Sequence, residues 1–248
     1  MKKRSTFTVV GAMILASALL LSACASSASA EKGTETAVTA QNQTEAAETV
    51  AEKDQTGENE KDPVVVTIAR GTDTVTLDPA FAGDNVDIWV DSLIFEGLVR
   101  ASEDGKEIEP CLADTWEISD DGLTYTFHLR DEAKFSDGTD VTAEDAAFSI
   151  NRSLNEGSWN SLISCIKEAK AVDEDTVEID LNNPSGSLLS CLASFICAIY
   201  PESYYSTADA DTLTKEPLGT GAFYLEEWKP DEKMILKKNP YYWETGYP

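Results

Sequence analysis

The sequence predicts an α/β protein of one or two domains, on three observations. The 186 residues from Pro63 to Pro248 are enough for cores of that size. β-Branched and alternating strand patterns recur beside helix patterns that carry their own start signals. Short turns rich in Asp, Gly and Pro separate the strand segments in pairs.

The elements follow in order. Val64 to Ala69 is a β-branched run suited to a buried strand, and Leu77-Asp78-Pro79-Ala80 breaks it because proline has no amide donor for a ladder. Val86, Val90, Leu93, Ile94 and Leu98 recur at helical spacing over 86–98, with Asn85 or Asp84 available as the cap. Thr115 to Ile118 and Leu123 to Leu129 form a hairpin about Ser119-Asp120-Asp121-Gly122, with Tyr125, Phe127 and Leu129 on one face. His128 lies on the other face, where a lone histidine is more often a surface or packing residue than a ligand. After the turn Ser136-Asp137-Gly138-Thr139, Thr142 N-caps a helix running to about Leu154, with Glu144 and Asp145 where the helix dipole favours them. Val172 and Val177 to Leu181 flank Asp173-Glu174-Asp175 as a second hairpin, which Asn183-Pro184 ends, and Leu188 to Ile199 begins as a helix. Ala222 to Trp228 and Met234 to Lys238 pair across Pro230-Asp231, and Asn239 to Trp243 adds aromatic bulk. Gly219-Thr220-Gly221 is weak as a phosphate loop because no lysine or helix start follows, and it reads as a tight crossover in which glycine supplies positive φ.

The N-terminal end speaks to compartment. Lys2, Lys3 and Arg4 precede an apolar run from Phe7 to Leu21 that is too short to span a membrane, so residues 1–23 read as a signal peptide. Leu21-Ser22-Ala23-Cys24 resembles a bacterial lipobox with Cys24 as the lipidated residue; the competing reading is ordinary cleavage after Ala28-Ser29-Ala30. Residues 24–62 then form a lipid-attached, disordered acidic linker, since they hold no aromatic residue and cannot offset the entropy of folding. Nine acidic and three basic side chains over residues 31–62 extend it away from the membrane. Removing the leader moves the formal charge from −26 to about −29, which excludes nucleic acid as a partner.

Four cysteines remain beyond Cys24, and Cys111, Cys165, Cys191 and Cys197 allow three disulfide connectivities. None forms a Cys-x-x-Cys pair and His128 is the single imidazole, so no metal site is expected. Cys191 and Cys197 lie in an apolar segment, where a free thiol acts as a small hydrophobe. With one histidine and no Gly-x-Ser-x-Gly elbow, no catalytic residue can be assigned and an enzyme is not expected.

The run PCLADTWEISDDGLTYTFHLRDEAKFSDGTDVTAEDAAFSIN, from Pro110 to Asn151, closely resembles the signature of the family 5 extracytoplasmic solute-binding proteins. Leu77-Asp78-Pro79, Phe95-Glu96-Gly97-Leu98, Pro217-Leu218-Gly219-Thr220-Gly221 and Asn239-Pro240-Tyr241-Tyr242-Trp243 resemble its other landmarks in the same order. The resemblance implies a two-lobed periplasmic-binding-protein-like fold of type II with an extra small domain. Residues 63–96 plus 196–248 would build an incomplete first lobe, and 97–195 the small α/β domain. Family members run about twice this length, so the second lobe is expected to be missing, in a fragment or a truncated product.

The implied function is that of a monomeric, lipid-anchored receptor outside the membrane, without cofactor, that captures peptides and delivers them to the permease of an ABC importer. A nickel chelate or an oligosaccharide is the alternative solute within the same family. In peptide-binding relatives the stretch corresponding to Ala82, Gly83, Asp84 and Asn85 touches solute, and Trp159 lies near another such position. Simpler roles compete: Asp84 and Asn85 as helix caps, Gly83 as a turn, Trp159 as small-domain packing.

Overall fold

The computed structural model describes residues 64–248. The expected signal peptide, Cys24 and the acidic linker lie outside the described residues. In chain order the elements are α1 (Asn85–Ile94), β1 (Val99–Ala101), β2 (Ile108–Pro110), β3 (Ala113–Ile118), β4 (Thr124–Leu129), α2 (Ala143–Glu156), β5 (Ile166–Ala171) and β6 (Thr176–Leu181). There follow α3 (Leu188–Leu192), α4 (Glu202–Tyr205), α5 (Ala210–Lys215), β7 (Phe223–Lys229) and β8 (Lys233–Lys238). Two 3-10 turns interrupt the series, Asn160–Ile163 between α2 and β5 and Phe195–Cys197 between α3 and α4.

The main sheet is antiparallel in the order β3-β4-β6-β5, built from the two expected hairpins set side by side. Alternation in β4 decides its faces. Tyr125, Phe127 and Leu129 are buried, while Thr124, Thr126 and His128 are half-buried on the other side. Phe127 sits opposite Trp116 on one neighbour and Val177 on the other. Burying a side chain of this size contributes roughly 1.5–3 kcal/mol. His128 Nδ1 lies 3.4 Å from Thr176 Oγ1, a cross-strand packing position.

Helix α2 covers the buried face of this sheet. Thr142 caps it, its Oγ1 accepting from the Asp145 N–H at 3.3 Å while the Asp145 carboxylate accepts from the Thr142 N–H at 3.0 Å. Ala143, Ala146 and Ile150 join the sheet core, whereas Phe148 turns to a second cluster made by Leu77, Val90, Ile94, Phe95, Tyr200, Tyr205 and Leu213. There it meets Tyr200 edge-on at 6.1 Å. The Asp145 carboxylate also accepts from the Glu202 N–H at 2.8 Å, and Ser149 Oγ from the Tyr200 N–H at 3.0 Å. One helix thus serves two cores.

Three expectations require correction. Val64 to Ala69 is not a buried strand: Val64, Val65, Val66 and Ile68 are 74–88% exposed, because no described strand lies beside them to accept their ladder. The helix placed over 86–98 stops at Ile94, where Phe95 turns extended (φ −121°, ψ 153°) and sends Leu98 into the sheet core instead. Gly219 and Gly221 do not have positive φ. A Cβ at Gly219 would stand 2.3 Å from the Ile94 carbonyl oxygen, and one at Gly221 2.5 Å from that of Leu93. Glycine is required there by close approach of two backbones rather than by handedness.

Candidate functional site

The site is built on the loop that enters α1. Leu77 anchors it, buried in the second cluster, with its N–H donating to the Thr214 carbonyl at 2.9 Å. Asp78 follows, 4% exposed, and receives both arms of Arg152 from α2, Nη1 at 2.8 Å and Nη2 at 2.6 Å. Arg152 Nη1 also donates to the Tyr200 hydroxyl at 3.3 Å. Burial alone would lower the pKa of Arg152, yet its bonds to Asp78 and the hydroxyl hold it above the ordinary value. A bidentate pair with this little solvent contact fixes the loop to the helix.

Two further bonds carry the loop to residues 157–159. The Ser158 N–H donates to the Ala80 carbonyl at 2.9 Å. Trp159 Nε1 donates to the Ala82 carbonyl at 2.8 Å, across a sequence separation of 77 residues. Phe195 meets the Trp159 ring edge-on at 6.4 Å. The structure therefore brings the two sequence-predicted segments, Ala82 to Asn85 and Trp159, into one wall. Ala82 is fully buried and its carbonyl is occupied, whereas Gly83, Asp84 and Asn85 are exposed and Trp159 is 38% exposed.

Asp84 takes the N-cap position with extended backbone (φ −107°, ψ 153°), one of the two caps the sequence allowed. The residue that shapes this turn is Asp87, which sequence reasoning did not single out. Its carboxylate is buried and accepts from the N–H groups of Val75 at 2.8 Å, Asp84 at 3.4 Å and Gly83 at 3.5 Å. One turn later Asp91 is 1% exposed, and neither of its oxygens has a partner among the described residues. Burial first, and then the nearby charges of Asp87 and Asp78, push its carboxyl up to about 8.

The remaining landmarks close on one another behind this wall. Glu96 accepts from the Tyr242 hydroxyl at 2.8 Å and from Trp243 Nε1 at 2.9 Å; burial raises its pKa, and these donors oppose the rise. Arg130 stacks over the Trp243 ring at 3.7 Å. Asn239 Nδ2 donates to the Gly221 carbonyl at 2.9 Å, and the Ser136 N–H to that of Gly219 at 2.9 Å. Residues far apart in sequence are thus spatial neighbours.

An open cleft of about 1140 Å³ lies beside α2, lined by Thr76, Phe81, Phe148, Arg152 and Tyr205 among others. None of Ala82, Gly83, Asp84, Asn85 and Trp159 lines it. Asp78 and Arg152, two little-exposed charged groups of its lining, already satisfy each other, so the exposed wall is the better candidate for solute contact. Among the described residues, no group of three or more His, Cys, Asp or Glu side chains is placed to hold a metal ion.

Comparison with known proteins assigns the class. Residues 107–248, more than half of the chain, match the family described as bacterial extracellular solute-binding proteins, family 5. The chain belongs to that family, whose members are extracytoplasmic receptors. It is 33% identical over 190 residues to the glutathione-binding protein GsiB of Escherichia coli O1:K1 / APEC, covering 74% of this chain and 36% of that protein. It is 35% identical over 188 residues to the probable D,D-dipeptide-binding periplasmic protein DdpA of Escherichia coli K12, covering 72% and 36%. The structure is similar to that of the periplasmic binding protein AgaA from A. tumefacien R10 in complex with agropinic acid: TM-score 0.66, 33% identity, 71% of this chain and 36% of that one. The chain spans about a third of the length of these relatives.

Proposed function

We propose that this chain is part of a non-enzymatic receptor that captures peptides outside the membrane and hands them to an ABC permease. The observation that carries the reading is the Trp159–Ala82 bond, which holds an exposed loop at a helix N-terminus against an exposed aromatic ring. Exposed main chain beside an aromatic ring suits an extended peptide, which binds largely through backbone hydrogen bonds. In this reading residues 63–96 and 196–248 belong to the first lobe and 97–195 to a small domain carried on it. Gly83, Asp84, Asn85 and Trp159 are one side of a cleft whose other side a second lobe supplies. Solute contacts made by both lobes favour closure, and that differential contact energy is the whole of the conformational response.

GsiB and DdpA, named for glutathione and D,D-dipeptide binding, support a peptide-like solute. AgaA, in complex with agropinic acid, supports the second reading, a non-peptide solute in the same cleft. Thermal-shift measurement of the two-lobed receptor against di- to hexapeptides, sugars and nickel chelates separates them. We expect stabilisation by peptides, reduced by Trp159→Ala; stabilisation confined to non-peptides would overturn the leading reading. Attachment through Cys24 is part of the same proposal. It predicts fatty-acid labelling that Cys24→Ser abolishes, and labelling that survives the substitution would refute it.

A further inference from the structure

Three of the four described thiols lie in or beside segments that touch one another: the 3-10 turn Asn160–Ile163 contacts α3, and α3 contacts the 3-10 turn Phe195–Cys197. Cys165 immediately precedes β5, Cys191 lies on α3, and Cys197 ends the 3-10 turn Phe195–Cys197; in the structure all are free. The hydrogen bond of Cys191 fixes its direction. Its Sγ donates to the Leu162 carbonyl at 3.5 Å, and Leu162 belongs to the 3-10 turn Asn160–Ile163, which leads into Cys165. The backbone of Cys165 is held in turn, its carbonyl accepting from the Asn182 N–H at 2.8 Å. Burial raises the Cys191 thiol and the neighbouring Cys165 raises it further, while α3 packs directly on the 3-10 turn that leads into Cys165.

The other two cysteines are poor partners. Cys197 is 1% exposed inside the sheet core, where burial pushes its thiol up to about 12 and keeps it from the thiolate form that reacts. Cys111 is buried elsewhere, beside Glu96 and Arg100. Cys165 and Cys191 are the half-buried pair.

We propose that Cys165 and Cys191 are joined by a disulfide in the protein outside the cell, where an oxidising compartment preserves such bonds. The chemistry is thiol–disulfide exchange with a small-molecule or protein disulfide. One of the two thiols loses its proton and attacks the donor disulfide, expelling one donor thiolate. The second, also deprotonated, attacks the mixed disulfide and expels the other. Two S–H groups are oxidised, one S–S bond forms, and the donor is reduced to two thiols. The bond closes a loop that contains β5 and β6 and ties the turn after Trp159 to α3, four residues before Phe195. It therefore fixes the aromatic member of the candidate wall from behind, a role independent of which solute binds.

The test uses the full chain equilibrated with oxidised and reduced glutathione, alkylated while denatured, and digested with chymotrypsin, which cuts between Cys191 and Cys197 at Phe195. We expect a linked Cys165–Cys191 peptide, with Cys111 and Cys197 alkylated. Reduction should lower the melting temperature by roughly 10 °C for a loop of this size. Cys191→Ser should melt like the reduced protein whatever the redox buffer, while Cys111→Ser keeps the sensitivity. Alkylation of all four thiols, or a link that involves Cys111, Cys197 or a second chain, would overturn the proposal, and the mapping holds even if a variant fails to fold.

Discussion

Asp91→Asn should stabilise the protein, although it replaces an ionisable residue in the middle of a helix. The Asp91 carboxyl is 1% exposed without a partner, and its pKa rises from 3.8 to about 8. At pH 7 the folded state must keep a proton that the unfolded chain has released. That is about 3 units, at about 1.4 kcal/mol each, or about 4 kcal/mol of stability forgone. The sign follows from proton counts. Between the two pKa values the folded state binds more protons than the unfolded one, so stability is complete below about pH 4 and is lost as pH rises to about 8. Asparagine removes this dependence but leaves an amide to satisfy, which costs ~1–3 kcal/mol. The net gain at pH 7 is therefore roughly 1–3 kcal/mol, or several degrees in melting temperature. Urea unfolding of both proteins at pH 4.5, 6, 7 and 8.5 measures it, and the comparison isolates Asp91 from Glu96, which also titrates upward. A difference between the two that stays constant across this range would refute the reasoning.

Arg152→Met keeps the volume of the side chain but leaves Asp78 buried without its cation; we expect a loss of about 3–5 kcal/mol by denaturant unfolding, and a loss below 1 kcal/mol would show that water reaches the pair. Gly219→Ala places a methyl 2.3 Å from the Ile94 carbonyl oxygen and 2.5 Å from the Phe95 ring, so it should destabilise by roughly 1–3 kcal/mol. Gly71→Ala, where nothing lies within 4 Å, is the control and should be neutral by the same melts.

The hairpins and α2 were legible because their signals are local. Alternation in β4 and the Thr142–Asp145 box each report on a neighbour within a few residues, and the register followed. Val64 to Ala69 failed for the converse reason, since β-branched residues state a preference but not a partner. The same limit applies to the site. Ala82 and Trp159 were found through resemblance, but the bond between them spans 77 residues and no periodicity encodes it. Asp78 and Arg152 are 74 residues apart and look like ordinary surface charges until folding buries both. The glycine pair was recognised as special, but a missing side chain that makes room cannot be told in sequence from one that permits an unusual dihedral.

Sharing α2 between two hydrophobic clusters leaves no clean seam in this part of the molecule. A cut near residue 196 would strip Phe148, Ser149 and the Asp145 carboxylate of Tyr200 and Glu202, so excised pieces would present raw apolar surface and stick. Held through one shared helix, the two clusters are built to travel as a single piece.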